Sequence, residues 1–124
     1  MAMVYNGVRF NKGGSIMKLM TKELQRKFEK VKPYDGDASF DAPVLAKFFG
    51  GSAYTCIVTS AEKDGDDYIL YGYATIGYGY EYGAVRLSQL QALKFPPFGT
   101  YAERDMYLPK NCKVKDLISK EDLM

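Results

Sequence analysis

The chain contains no histidine and no tryptophan in 124 residues. Without histidine, every mechanism that uses an imidazole as base, proton shuttle or metal ligand is excluded. Cysteine is almost as scarce. Cys56 and Cys112 are far apart and lack metal-type spacing, so they read as reduced thiols of a cytoplasmic protein. No apolar run approaches the roughly 18–20 residues that cross a bilayer, and no secretory signal is visible at the N-terminus, so no membrane role is expected. The chain also lacks strong charge of either sign. Its 17 basic and 15 acidic residues leave +2, too little for the long-range field that draws a protein onto phosphates.

What is abundant is tyrosine. Six of the 11 tyrosines fall between Tyr68 and Tyr82, at 68, 71, 73, 78, 80 and 82. A phenol ring has a flat apolar face and a polar tip, which suits packing and recognition better than catalysis. The hydrophobic content of 47% and the chain length are those of a single domain with a real core.

Residues 1–16 carry two readings. Lys12, Gly13, Gly14 and Ser15 followed by Ile16 and Met17 are what a purine-rich ribosome-binding site and its spacer read as in translation. On that reading the native start is Met17 and residues 1–16 are leader. The other reading is an N-terminal hairpin, with Val4–Tyr5 and Val8–Phe10 flanking the turn pair Asn6–Gly7; the two are compatible. Arg9 and Lys12 precede Met17 and no acid does, so the body from Met17 onward holds 15 basic and 15 acidic residues.

Along the body, Thr21 is a helix cap for residues 22–31, whose Leu24, Phe28 and Val31 share one face, and Pro33 stops the helix. A turn at Asp35–Asp37 follows. Strands are predicted at 44–49, 54–60 and 68–76, separated by turns at Gly50–Ser52 and Lys63–Asp66, and a fourth near 81–86 follows the Gly77–Gly79 turn. Ser88 and Gln91 suggest a capping box for a helix over 89–94. Pro96, Pro97 and Gly99 break the chain before a strand from Tyr101 to Leu108, and a tail from residue 110 to 124 ends in a helical turn near 116–123. The expected fold is α+β: a single small domain over residues 17–109, with a twisted antiparallel sheet of about five strands and two helices.

Four segments, residues 18–24 (KLMTKEL), 46–49 (AKFF), 83–90 (GAVRLSQL) and 103–107 (ERDMY), occur here in a fixed order. In these the chain resembles the bacterial family called domain of unknown function 2958, over nearly everything from Met17 to Pro109. It departs from the family pattern at Tyr54–Cys56, where tryptophan-rich residues are usual, and in its tyrosine density. The resemblance implies a small protein carried by plasmids, conjugative elements and phages. It supplies no catalytic residue.

The remaining chemistry is thin. Cys56 shares a strand face with Tyr54 and Val58 and reads as packing. Asp64, Asp66 and Asp67 lack the acid spacing and closing glutamate of a calcium loop and read as turn residues. No metal and no cofactor are expected, and no enzymatic activity. Arg104, between Glu103 and Asp105, is placed either for an anion or partner carboxylate, or in a cross-strand ion-pair set with Lys47. Alternation puts Leu70, Gly72, Ala74 and Ile76 on the core face of the third strand and Tyr71 and Tyr73 on the outer face. Tyr78, Tyr80 and Tyr82 share one side of the next segment. Together these tyrosines make either a binding patch or a second small core under a helix or the hairpin. Tyr71, Tyr73, Tyr78, Tyr80, Tyr82 and Arg104 are therefore the candidate binding residues. The expected function is non-catalytic docking on another protein, in its sharpest form as an inhibitor of a host defence nuclease such as a CRISPR effector. The alternative is a single-stranded nucleic-acid accessory protein, with tyrosines stacking on bases and basic residues of the first helix following phosphates.

Overall fold

The computed structural model describes residues 3–5, 8–10, 16–30 and 40–124. Three short strands open the chain, β1 (Met3–Tyr5), β2 (Val8–Phe10) and β3 (Ile16–Lys18), and form a separate antiparallel sheet in that order. Met3 pairs with Phe10 and Tyr5 with Val8, so β1 and β2 are the expected hairpin, to which β3 adds. The turn residues Asn6 and Gly7, the segment 11–15, and the predicted Val31, Pro33 and Asp35–Asp37 features lie outside the described residues.

The main body is a five-stranded antiparallel sheet in the order β10–β4–β5–β6–β7. Its strands are β4 (Ala46–Gly50), β5 (Tyr54–Asp64), β6 (Asp67–Thr75), β7 (Glu81–Arg86) and β10 (Glu103–Arg104). The expected α+β class, strand number and two helices are all present. Helix α1 (Lys22–Lys30) begins where Thr21 Oγ1 accepts the Leu24 N–H at 3.1 Å, the expected cap. Leu24 and Phe28, one turn apart, are buried, and the Phe28 ring meets Tyr68 at 5.7 Å. Each such side chain contributes about 2 kcal/mol by leaving water.

Strand alternation divides the sheet into two faces. The front carries α1 and α2 (Leu87–Ala92) over Phe48, Cys56, Val58 and Leu70, with Leu90 of α2 buried among them. The back carries Val44, Ile57 and Tyr73. A bulge between Val58 and Ser60 resets the alternation, so Ala61 rejoins the front core.

Three expectations change. Helix α2 starts two residues early. Arg86 is its cap position and donates its N–H to Gln89 Oε1 at 3.2 Å, while Ser88, the expected cap, is drawn to Asp67. The strand expected from Tyr101 to Leu108 is two short pieces. β9 (Thr100–Tyr101) pairs with β8 (Lys94–Phe95), and β10 pairs with β4 for two residues before the Asp105 carboxylate accepts the Tyr107 N–H at 2.8 Å and turns the chain. Residues 110–124 are more than a tail. Cys112, Val114 and Ile118 are buried against Ile57 and Tyr73, forming a second core on the back face. Backbone bonds from Val44 to Cys112 (2.8 Å) and from Val114 to Ala42 (3.0 Å) lace this segment to residues 40–44. Two single 3₁₀ turns, Val114–Asp116 and Lys120–Asp122, are each closed by an aspartate accepting a backbone N–H at 2.8 Å.

Candidate docking surface

At one end of the sheet the chain passes from β6 to β7 through residues 76–79. Gly77 and Gly79 have φ of 112° and 116°, a region that side chains rarely enter, which is why glycine stands at both places. Thr75 Oγ1 accepts the Gly77 N–H at 3.0 Å and fixes the start of the turn. A methyl group at Gly79 would lie 2.9 Å from Met124 Cγ, so the missing side chain also lets the C-terminal segment in. Tyr80 completes that contact by donating its N–H to the Asp122 carbonyl at 2.7 Å and accepting the Met124 N–H at 3.0 Å.

This turn pushes apolar side chains outward. Ile76 is 68% exposed and Tyr78 83%, and Met124, against Gly79 and Tyr80, is 74% exposed. Ile76 was expected on the core face; β6 ends at Thr75, so the alternation that would have buried it has stopped. Tyr82, the next ring along, is partly exposed and stands edge-on to Tyr73, with centroids 5.2 Å apart.

The candidate tyrosines therefore separate. Tyr78, Tyr80 and Tyr82 are gathered at the β7 end, with Tyr80 half-buried. Tyr73 points to the expected face but is buried. The C-terminal segment covers it, with Phe40 against its ring at 6.2 Å, so the second small core is real for this residue. Tyr71 is half-buried and donates its hydroxyl to Glu62 at 3.1 Å. Arg104 lies across the sheet on β10, where its Nη1 donates to Thr21 Oγ1 at 3.1 Å and ties the edge strand to the start of α1. Its neighbour Asp105 pairs with Lys47 at 3.8 Å, the ion pair expected as the structural alternative. Sequence reasoning missed Ile76 and Met124; the paired glycines of the turn were the signal that the strand had already ended.

On the front face beside β7 lies a shallow groove of about 210 Å³ lined by Cys56, Leu70, Gly72, Ala74, Glu81, Gly83 and Val85. The Cys56 thiol here is pushed up to about 11 by burial, only partly offset by its hydrogen bond to Tyr54, so it stays protonated and unreactive at neutral pH. At the other end of β7, Arg86 reaches Asp64 at 2.8 Å and Asp67 at 3.7 Å. Asp67 also accepts Ser88 Oγ at 2.6 Å, Ser88 N–H at 3.1 Å and Tyr68 N–H at 2.8 Å. Partial burial pulls its carboxyl upward, but these hydrogen bonds and the Arg86 charge outweigh that and leave it below the ordinary value. The cluster pins α2 to the β5–β6 turn. Among the described residues no three Cys, Asp or Glu side chains lie close enough to share a metal ion, and no helix is long and apolar enough to cross a membrane.

Residues 16–120 match the family described as "Protein of unknown function (DUF2958)". The chain belongs to that family. Comparison with curated proteins and with solved structures found no match. The family match begins at residue 16 and runs through the C-terminal segment to residue 120, so it takes in the second core as well as the sheet.

Proposed function

We propose that this chain is a non-catalytic docking protein of a mobile genetic element, working in the cytoplasm by covering a surface of another protein. The observation that carries this reading is the exposed set Ile76, Tyr78 and Tyr82, held on a glycine-fixed turn and a sheet edge, with the last residue, Met124, tied beside it by its N–H to the Tyr80 carbonyl. Tyrosine and methionine are enriched at protein interfaces, tyrosine because its rigid ring covers much area with few torsions to freeze, methionine because its flexible, polarizable thioether adapts to the partner's surface. The family resemblance supports the mobile-element origin, and a host defence nuclease is the partner class that origin favours.

A transformation assay tests the whole reading. Cells carrying a nuclease defence that destroys an incoming plasmid are expected to tolerate it when this protein is expressed. They should lose that tolerance when Ile76→Ser and Tyr78→Ser are combined at unchanged protein level. Equal plasmid loss with and without the protein, across restriction and CRISPR-type systems, removes the anti-defence version.

A second reading has one observation in its favour. Lys22, Arg26, Lys27 and Lys30 all lie on the exposed side of α1. Glu23 and Glu29 share that side, and Glu23 pairs with Lys27 at 4.0 Å, which dilutes the stripe. Docking on a protein remains the better-supported function.

A further inference from the structure

Strand β7 is an edge of the five-stranded sheet, and its residues Glu81–Ala84 are exposed. The direction of its free backbone groups follows from its two ends. Both groups of Tyr80 bond away from the sheet to Asp122 and Met124, and the Arg86 N–H bonds to Gln89 Oε1. Backbone groups alternate along an edge strand of an antiparallel sheet. Those of Tyr82 and Ala84 therefore share the outward direction of Tyr80 and Arg86, while Glu81, Gly83 and Val85 bond to β6. An outward pair of N–H and C=O groups is a template for another strand.

We propose that β7 accepts an extended segment of a partner protein as a sixth strand opposite residues 82–85. This assignment rests on the docking reading and names its mode. A residue of the added strand lying opposite Gly83 projects to the same face as Gly83, which is the face of the groove. A side chain at Gly83 would meet nothing within 4 Å, so the groove mouth is open above Leu70, Ala74 and Cys56. An aliphatic side chain fits there. Glu81 is the one group lining the groove that is charged at neutral pH, and it stands at the end where the added segment must leave the lane. The matching segment thus alternates aliphatic residues and carries a lysine or arginine at that end. On the opposite face its side chains rest on Tyr82.

A second copy of this chain does not fit the same lane. Antiparallel pairing of two β7 strands about a two-fold axis places residues of the second copy beside Tyr80, where Leu123 already lies. A free segment can bend away at that point, whereas a folded copy cannot.

The test is a titration of the ¹⁵N-labelled full chain with synthetic pentapeptides, Lys-Thr-Val-Thr-Val and its reverse, followed by amide shifts. Saturable downfield shifts at Tyr82 and Ala84, with smaller ones at Gly83 and Gly72, are expected for one of the two. The same peptide methylated at every backbone nitrogen should give none. Ala84→Pro removes one outward donor without touching a bond to β6, and is expected to weaken binding about tenfold. Gly83→Leu, which fills the groove mouth, should weaken it by a similar factor. Shifts confined to Ile76, Tyr78 and Met124, equal for the methylated peptide, would overturn strand addition while leaving docking at that turn standing. Silence throughout the titration overturns the proposal. Shifts at Tyr82 and Ala84 produced by concentrating the protein alone overturn it too, because the occupant would then be a second copy.

Discussion

Two tyrosines five residues apart in sequence mark the boundary between core and surface. Tyr73 is 4% exposed beneath the C-terminal segment and Tyr78 is 83% exposed on the turn. Truncating a buried aromatic removes its packing and leaves a cavity, so Tyr73→Ala is expected to cost about 3–5 kcal/mol. Tyr78→Ala should change stability by no more than about 0.5 kcal/mol, as for other exposed positions. Urea unfolding midpoints of the two variants measure the contrast, and similar losses for both would mean that the turn is packed after all. Nothing local in the sequence distinguishes these residues. Both are tyrosines beside glycine in one aromatic run, and alternation gives the direction of Tyr73 without saying what lies over it. Its cover comes from Val114 and Ile118, some 40 residues further on. The same limit applies to Arg104, whose partner Thr21 is 83 residues away. Cys56 was easier to place, since its strand neighbours already show the face it belongs to.

Helices and strands were legible where one face is buried and the ends carry local signals. Thr21 caps α1, the 3.6-residue spacing of Leu24 and Phe28 supplies its buried stripe, and the Asp-Gly turn joins β5 to β6. Legibility failed where a distant side chain competes for a local one. Ser88 and Gln91 have the spacing of a capping box, yet Asp67 takes both the Ser88 hydroxyl and its N–H, and the helix begins earlier. Because Asp67 joins the β5–β6 turn to α2, its loss acts on an element rather than on one contact. Its carboxyl titrates lower in the folded chain than in the unfolded one. The stabilisation is therefore fully present above the unfolded carboxylate value, about 3.9, and fades as pH falls through the lowered folded value. Asp67→Asn should cost about 1–2 kcal/mol near pH 7, as charge-assisted hydrogen bonds are exchanged for neutral ones. Thermal unfolding of both forms at pH 7 and pH 3 is the check, with the gap expected to narrow in acid. A gap that widens in acid would reverse the assignment.

For the molecule as a whole, salt separates the two functions. The chain as a whole carries only +2, so phosphate binding in the second reading rests on a local stripe, Lys22, Arg26, Lys27 and Lys30 of α1. About four such contacts on a single strand give a salt slope near −2.8, so affinity should fall roughly 600-fold for each tenfold rise in salt. Docking through Ile76, Tyr78, Tyr82 and Met124 follows the opposite rule. It buries apolar area, which salt does not screen, and exposed charges more than about 10 Å away contribute little at 0.1 M. A captured protein partner is therefore expected to stay bound, within about threefold in Kd, when ionic strength rises from 0.05 to 0.5 M. Calorimetry at the two salt concentrations measures this, and the heat-capacity change should be negative, as apolar burial requires. A partner that dissociates with the steep slope of phosphate binding would move the active surface from the β7 end to helix α1, and the exposed rings of the turn would lose their assigned role.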